Sequence, residues 1–113
     1  MRRFYDAFLG WRAANGWDNR LGDRLAELVA TAGFQDVGAS VEDEVATRGD
    51  PAFADSLGLW RQVMEGMGAT IADAGFLAQA DLDAARAAHR SWAERDARLQ
   101  RMVLRAVDGR RAA

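Results

Sequence analysis

The residues in this chain with the most chemical potential are aromatic and cationic rather than nucleophilic. Four tryptophans stand in 113 residues, and Trp11 and Trp17 flank an Asn15-Gly16 turn that also holds Arg12. An aromatic wall with polar groups beside a loop is the composition of a small-molecule pocket, so Trp11, Arg12, Asn15 and Trp17 are candidate substrate contacts. Trp60 and Trp92 fall on helical stripes, where core packing is the plainer reading.

Other chemistries fail on residue type. There is no cysteine, which removes disulfides, thiolate nucleophiles and cysteine-held metals. His89 is the only histidine, so no histidine metal site can be built, and it reads as a helix-packing residue. Ser40, Ser56 and Ser91 sit in unrelated contexts and give no Ser/His/acid triad. Glu42, Asp43 and Glu44 form an acidic run, but strand alternation sends Asp43 to the opposite face. Charges on an edge strand that resists further pairing explain the run better. "GMGATI", Gly66 to Ile71, follows a helix and has Ile71 where a third phosphate-loop glycine should stand, so it reads as a break between helices. No lysine exists for a Walker-type loop. The closing Arg101, Arg105, Arg110 and Arg111 lack interleaved base-stacking aromatics, and the net charge is only -2, so nucleic-acid binding has no support. No apolar run approaches the ~20 residues that span a bilayer. A cytoplasmic chain is expected.

The elements that must position these residues follow from periodicity. Phe4, Phe8 and Trp11 share one side of a first helix. Asp18 is placed to cap a second, whose face is Leu21, Leu25, Leu28, Val29 and Ala32. Gly33 closes it, with Phe34 folding back on Val29. From Val37 the period becomes two, with Val37, Ala39, Val41 and Val45 opposite Gly38, Ser40, Glu42 and Glu44, a strand with one wet face. Asp50 as cap and Pro51 as first residue predict a helix to about Met67, with Phe53, Leu57, Trp60 and Met64 on its stripe. A further helix is expected from about Asp81 to Arg95, its buried side Leu82, Ala85, Ala88, His89 and Trp92. Met102 to Val107 alternates before Asp108-Gly109 turns the chain. The expectation is an α+β single partial domain over 1–113, mostly helical, with strands at about 36–46 and 101–108 paired antiparallel. Two strands alone make a poor sheet.

The ordered segments "AANGWDNRLGDRLAELVATAGFQDV", "TRGDPAFADSLGLWRQVMEGMG", "ADAGFLAQADLDAARAA" and "VLRAVDGRR" resemble the carboxy-terminal part of class I S-adenosylmethionine-dependent methyltransferases of the small-molecule type. The resemblance implies that 36–46 and 101–108 are the last two strands of a Rossmann-like sheet, and that 51–95 is a helical insertion covering the substrate. It adds Trp60 and Met64, from that insertion, to the substrate-side candidates Trp11, Arg12, Asn15 and Trp17. The cofactor of the intact family is S-adenosylmethionine, held on a glycine-rich loop and an acidic strand end in the amino-terminal half. Neither feature occurs here, so no catalytic or cofactor-binding residue carries over, and the isolated chain is expected neither to bind the cofactor nor to be active. The expected partners are a small-molecule substrate in the intact enzyme and an amino-terminal cofactor-binding half. The alternative is a stand-alone ligand-binding or dimerisation module derived from that fold, a homodimer supplying the missing strand neighbour. A third reading is an all-helical regulator fragment.

Overall fold

The computed structural model describes residues 1–113. In chain order the elements are α1 (Arg2–Ala14), α2 (Leu21–Thr31), β1 (Gln35–Val41), β2 (Glu44–Thr47), α3 (Phe53–Asp73), α4 (Gln79–Arg95), β3 (Leu99–Met102) and β4 (Arg105–Arg110). The chain is α+β, with β1 beside β4 in one small antiparallel sheet and β2 beside β3 in another. No helix is long and apolar enough to cross a membrane.

Three helices end in the same way. In each, a glycine in the left-handed region is followed by an aromatic residue whose amide reaches back five residues. The Trp17 amide donates to the Arg12 carbonyl at 3.0 Å, Phe34 to Val29 at 3.4 Å and Phe76 to Ile71 at 3.2 Å. The glycines Gly16, Gly33 and Gly75 have φ of 83°, 97° and 87°, values that a side chain would oppose. Each motif satisfies carbonyls that the helix end would leave open.

The contacts divide the chain into two compact units. The first, 1–17 with 46–100, holds all the fully buried residues. Its main core is Phe4, Ala7, Met64, Ile71, Leu77, Leu82 and Ala85, contributed by α1, α3, α4 and, through Leu77, the connection between α3 and α4. A smaller cluster joins Ala46, Phe53, Leu57 and Ala97. Arg48 closes the carboxyl end of α4, donating from Nε to the Ala97 carbonyl at 2.7 Å and from an Nη to Ala93 at 3.2 Å. A cation at that end also meets the favourable side of the helix dipole.

The second unit, 18–45 with 101–113, lays α2 against the β1–β4 pair. Gly38 faces Asp108, Ala39 faces Val107 and Val41 faces Arg105 in the register. A Cβ at Gly109 would stand 3.1 Å from Phe34 Cβ and 3.3 Å from a Val29 methyl, so the bare backbone of β4 is what lets the end of α2 close down. No residue of this unit is buried, and Val41 and Val103 are 64% and 62% exposed.

Several expectations are corrected. The two long strands, 36–46 and 101–108, are four short ones, interrupted at Glu42–Asp43 and Val103–Leu104. The Asp43 carboxylate takes the Leu104 amide at 3.1 Å, occupying a donor that a continuous ladder would use. The turn expected at Asp108-Gly109 lies within β4. Asp50 and Asp18 do not cap helices. Asp50 Oδ2 accepts the Thr47 amide in the turn before α3, and Asp18 Oδ1 accepts the Arg20 amide ahead of α2. On the α2 face, Leu21 and Leu28 are exposed, and Trp92 and Ala88 of α4 are exposed as well.

The largest correction is that α3 runs unbroken through Gly66 and Gly68. Gly68 serves packing: a Cβ there would lie 2.8 Å from Leu82 Cδ1, and Leu82 is wholly buried and has no room to retreat. Gly66 faces open space. The two substitutions should therefore have opposite signs in chemical denaturation. Gly68→Val is expected to destabilise by about 2 kcal/mol through overpacking, and Gly66→Ala to stabilise by about 0.5–1 kcal/mol through helix propensity.

Candidate functional site

The sequence-derived candidates fall into two groups within the first unit. Trp11, Arg12, Asn15 and Trp17 gather at the end of α1. Asn15 donates its side-chain amide to the Trp11 carbonyl at 2.8 Å, bracing the turn. The Arg12 guanidinium lies over the rings of Phe8 and Trp17, 5.4 and 4.9 Å from their centroids. Its Nε is buried without a hydrogen-bond partner. Trp11 packs on the core, while Trp17 is 58% exposed. The group forms an aromatic and cationic surface rather than the wall of any of the four clefts described below.

Met64 belongs to the interior and Trp60 is half-buried against it. Met64 is fully buried, and Trp60 meets Phe4, Tyr5 and Phe8 edge-on at 6.5, 5.3 and 5.7 Å. Phe8 is thus the ring shared by the two groups, touching Arg12 on one side and Trp60 on the other.

Concave surface runs along the groove between α3 and α4, where Trp60 and Met64 each line one cleft and His89 is the common member. A cleft of about 280 Å³ is lined by Ala54, Leu57, Gly58 and Ala93 on its apolar side and by Arg61, His89, Arg90 and Glu94 on its polar side. A tighter pocket of about 40 Å³ shares Arg61, His89 and Arg90 and adds Met64, Glu65 and Arg86. A third, of about 430 Å³, reaches His89 from the side of Trp60, Ala88, Trp92, Gln100 and Met1. A fourth, between Arg3, Asp6 and the Gly75–Asp81 segment, does not include His89.

The positions of these side chains follow from α4. Arg86, His89 and Arg90 are spaced i, i+3, i+4 and share a helix face. Gly68 lets that face approach α3 so closely that the Arg86 Nη donates to the backbone carbonyl of Met64 at 2.9 Å. Arg86 also lies 3.7 Å from Asp83, and its Nε is buried without a partner. Arg61 meets Glu65 one turn along α3 at 3.3 Å. His89 is 5% exposed, rests 5.8 Å from the Trp92 ring and makes no hydrogen bond within the chain. The helix-packing role expected of it is only part of its setting, because three clefts open on it. No sequence argument singled out Arg61, Arg86 or Arg90. The spacing of the α4 pair about His89 was the available signal.

The chain matches no protein-family model, no curated protein and no solved structure. The acidic run does not provide a functional site, since Ser40 Oγ donates to Glu42 at 2.9 Å and Asp43 pairs with Arg105 at 3.3 Å as well as holding Leu104.

Burial holds His89 below its ordinary pKa of 6.5, and the nearby Arg61 charge and the amino terminus push in the same direction. The imidazole is neutral at pH 7 and can donate from one nitrogen while accepting at the other. Because the unfolded chain binds this proton more readily, neutral His89 contributes stability above 6.5 that is lost as pH falls through that value toward the lower folded midpoint. Proton NMR of the single histidine should show a midpoint below 6.5. Thermal unfolding should occur at lower temperature at pH 5.5 than at pH 7.5, and that difference should shrink in His89→Gln.

Proposed function

We propose that this chain is the carboxy-terminal, substrate-side segment of an S-adenosylmethionine-dependent methyltransferase acting on a small molecule. The observation that carries the reading is the second unit: an antiparallel β1–β4 pair backed by α2, with no buried residue of its own. A helix followed by a strand whose neighbour is the last strand is the arrangement that the resemblance implies for the end of a methyltransferase sheet. A two-stranded sheet backed by one helix is marginal alone, and strand edges and exposed valines supply what a larger sheet would cover. The α3–α4 pair then corresponds to the substrate-covering insertion, and its clefts are apolar surfaces punctuated by a few polar groups.

The residues of this chain do not fit the cofactor. No strand leads into a glycine-rich turn and a helix: Gly66 and Gly68 lie within α3, and the other close-approach glycines serve packing. No step of methyl transfer is assigned to any side chain here. In the proposed enzyme, donor and acceptor are aligned chiefly by position, and this segment contributes the acceptor side.

The same exposed surface favours a second reading, a stand-alone module that completes its sheet across a homodimer. Val41, Val103 and Leu104 would then lie in the interface.

Titration calorimetry of the 113-residue chain with S-adenosylmethionine is expected to give no saturable binding, and a micromolar dissociation constant would overturn the assignment of the cofactor to another segment. Analytical ultracentrifugation separates the two readings. A monomer whose β1 and β4 amides exchange rapidly with solvent is expected of the methyltransferase segment, whereas a tight dimer protecting those amides favours the module.

A further inference from the structure

We propose that the groove between α3 and α4 is a binding site for a small organic carboxylate, its charged group held by Arg61, Arg90 and His89 and its apolar body lying on Leu57, Gly58 and Ala93. The inference does not rest on the methyltransferase reading and concerns the first unit alone.

Unmet polar groups in a confined, basic place point to an anion. His89 is 5% exposed and has no hydrogen-bond partner, yet its ring borders both the 280 Å³ cleft and the 40 Å³ pocket. Its ring nitrogens are not cut off from solvent, so in the open groove they meet water, which an acceptor on a ligand would replace. Arg86 supplies the buried, unpartnered donor, its Nε beside the 40 Å³ pocket. Arg90 has no ion pair or hydrogen bond in the chain.

Charge and size narrow the ligand. The groups lining the two spaces, which share Arg61, His89 and Arg90, are three guanidiniums, Arg61, Arg86 and Arg90, and two carboxylates, Glu65 and Glu94; Glu65 is engaged with Arg61, and Asp83 lies 3.7 Å from Arg86. Arg90 is then the guanidinium left without a partner, and it is the group free to take an anion. A water-sized group needs about 10–15 Å³, so the inner pocket of about 40 Å³ admits a group the size of a carboxylate. Guanidinium presents paired donors that match two carboxylate oxygens. The outer cleft is larger and is floored by Ala54, Leu57, Gly58 and Ala93, which suits a compact hydrocarbon body and would leave the hydration of a bare inorganic ion unreplaced.

His89 contributes in a specific way. Held neutral, it offers a donor without adding a fourth positive charge beside three guanidiniums. An anion seated next to it favours the imidazolium and returns its midpoint upward.

The chain's single histidine makes the test clean. Benzoate titrated at pH 7 into the full chain is expected to shift the His89 ring resonances saturably in the millimolar range and to raise the His89 titration midpoint. Benzyl alcohol, the neutral analogue, and inorganic phosphate are expected to bind at least about tenfold more weakly, because one lacks the charge and the other the apolar body. Arg90 is exposed, so Arg90→Gln should leave the helical circular dichroism unchanged while weakening benzoate about tenfold. Arg61→Gln is the second variant, with the same expectation. No saturable His89 shift, equal binding of benzyl alcohol or phosphate, or unchanged affinity in both folded variants would each overturn the site.

Discussion

Where α3 crosses α4, nothing larger than a hydrogen fits at position 68, and much of the first unit depends on that. Leu82, wholly buried, fills the space a side chain would take, and Arg86 slides past it to reach the Met64 carbonyl. The close approach turns the next α4 residues, His89 and Arg90, toward Arg61 of α3. A wider separation would put these cations in separate solvent shells. At the observed distance they line one groove, and the packing and the polar surface have the same cause.

A second constraint fixes how the chain leaves its helices. Each of α1, α2 and α3 ends with a left-handed glycine and then an aromatic residue bonded back to the helix. The motif does two things at once, since it satisfies end carbonyls and aims a large ring at whatever lies beside the helix. The rings meet different environments: Phe76 lies against Gly10 of α1, Phe34 against Gly109 of β4, and Trp17 over the Arg12 guanidinium. Only Trp17 is left mostly in solvent, and its stacking partner is the cation that sequence reasoning placed beside it. Helix α4 departs from the pattern. It has no glycine stop, and its end is held instead by Arg48 from a distant part of the chain.

These local rules decide what could be read from the sequence. The alternation at Val37 to Val41 and the "AGF" closure of α2 are written in neighbouring residues, and both a strand and the cap form there, but the apolar face expected to be covered is not, since Ala39, Val41 and Val45 are exposed. The pairing of that strand with the chain's last one was legible because no other candidate existed. Long-range effects were not legible. Gly66 and Gly68 look alike in sequence, and only Leu82, fourteen residues away from the nearer of them, distinguishes an idle glycine from an obligatory one. The strand interruptions depend on Asp43 choosing a backbone donor 61 residues away. The candidate site followed the same division. Trp11, Arg12, Asn15 and Trp17 do come together, being close in sequence, whereas the arginine groove needed the helix crossing to bring Arg61 to Arg86 and Arg90.

The contrast between the two units bears on what the molecule is for. In the first, seven buried side chains, six from three helices and Leu77 from the connection between α3 and α4, make a continuous core, enough to hold a groove in fixed shape. In the second, α2 covers one face of a two-stranded sheet, and the apolar residues Leu21, Leu28, Val41 and Val103 remain in water. Burying a side chain of that size is worth roughly 1.5–3 kcal/mol. Leaving several of them exposed in so small a unit forgoes an amount comparable with the whole stability of a domain. Scattered exposed apolar residues are ordinary, but a unit with none buried has no core from which to draw its order. Its stability must come from outside those residues, through covalent continuity with the first unit, through a neighbouring strand, or both. One unit has a buried core and the other has none, so the second is the one whose backbone hydrogen bonds should open first.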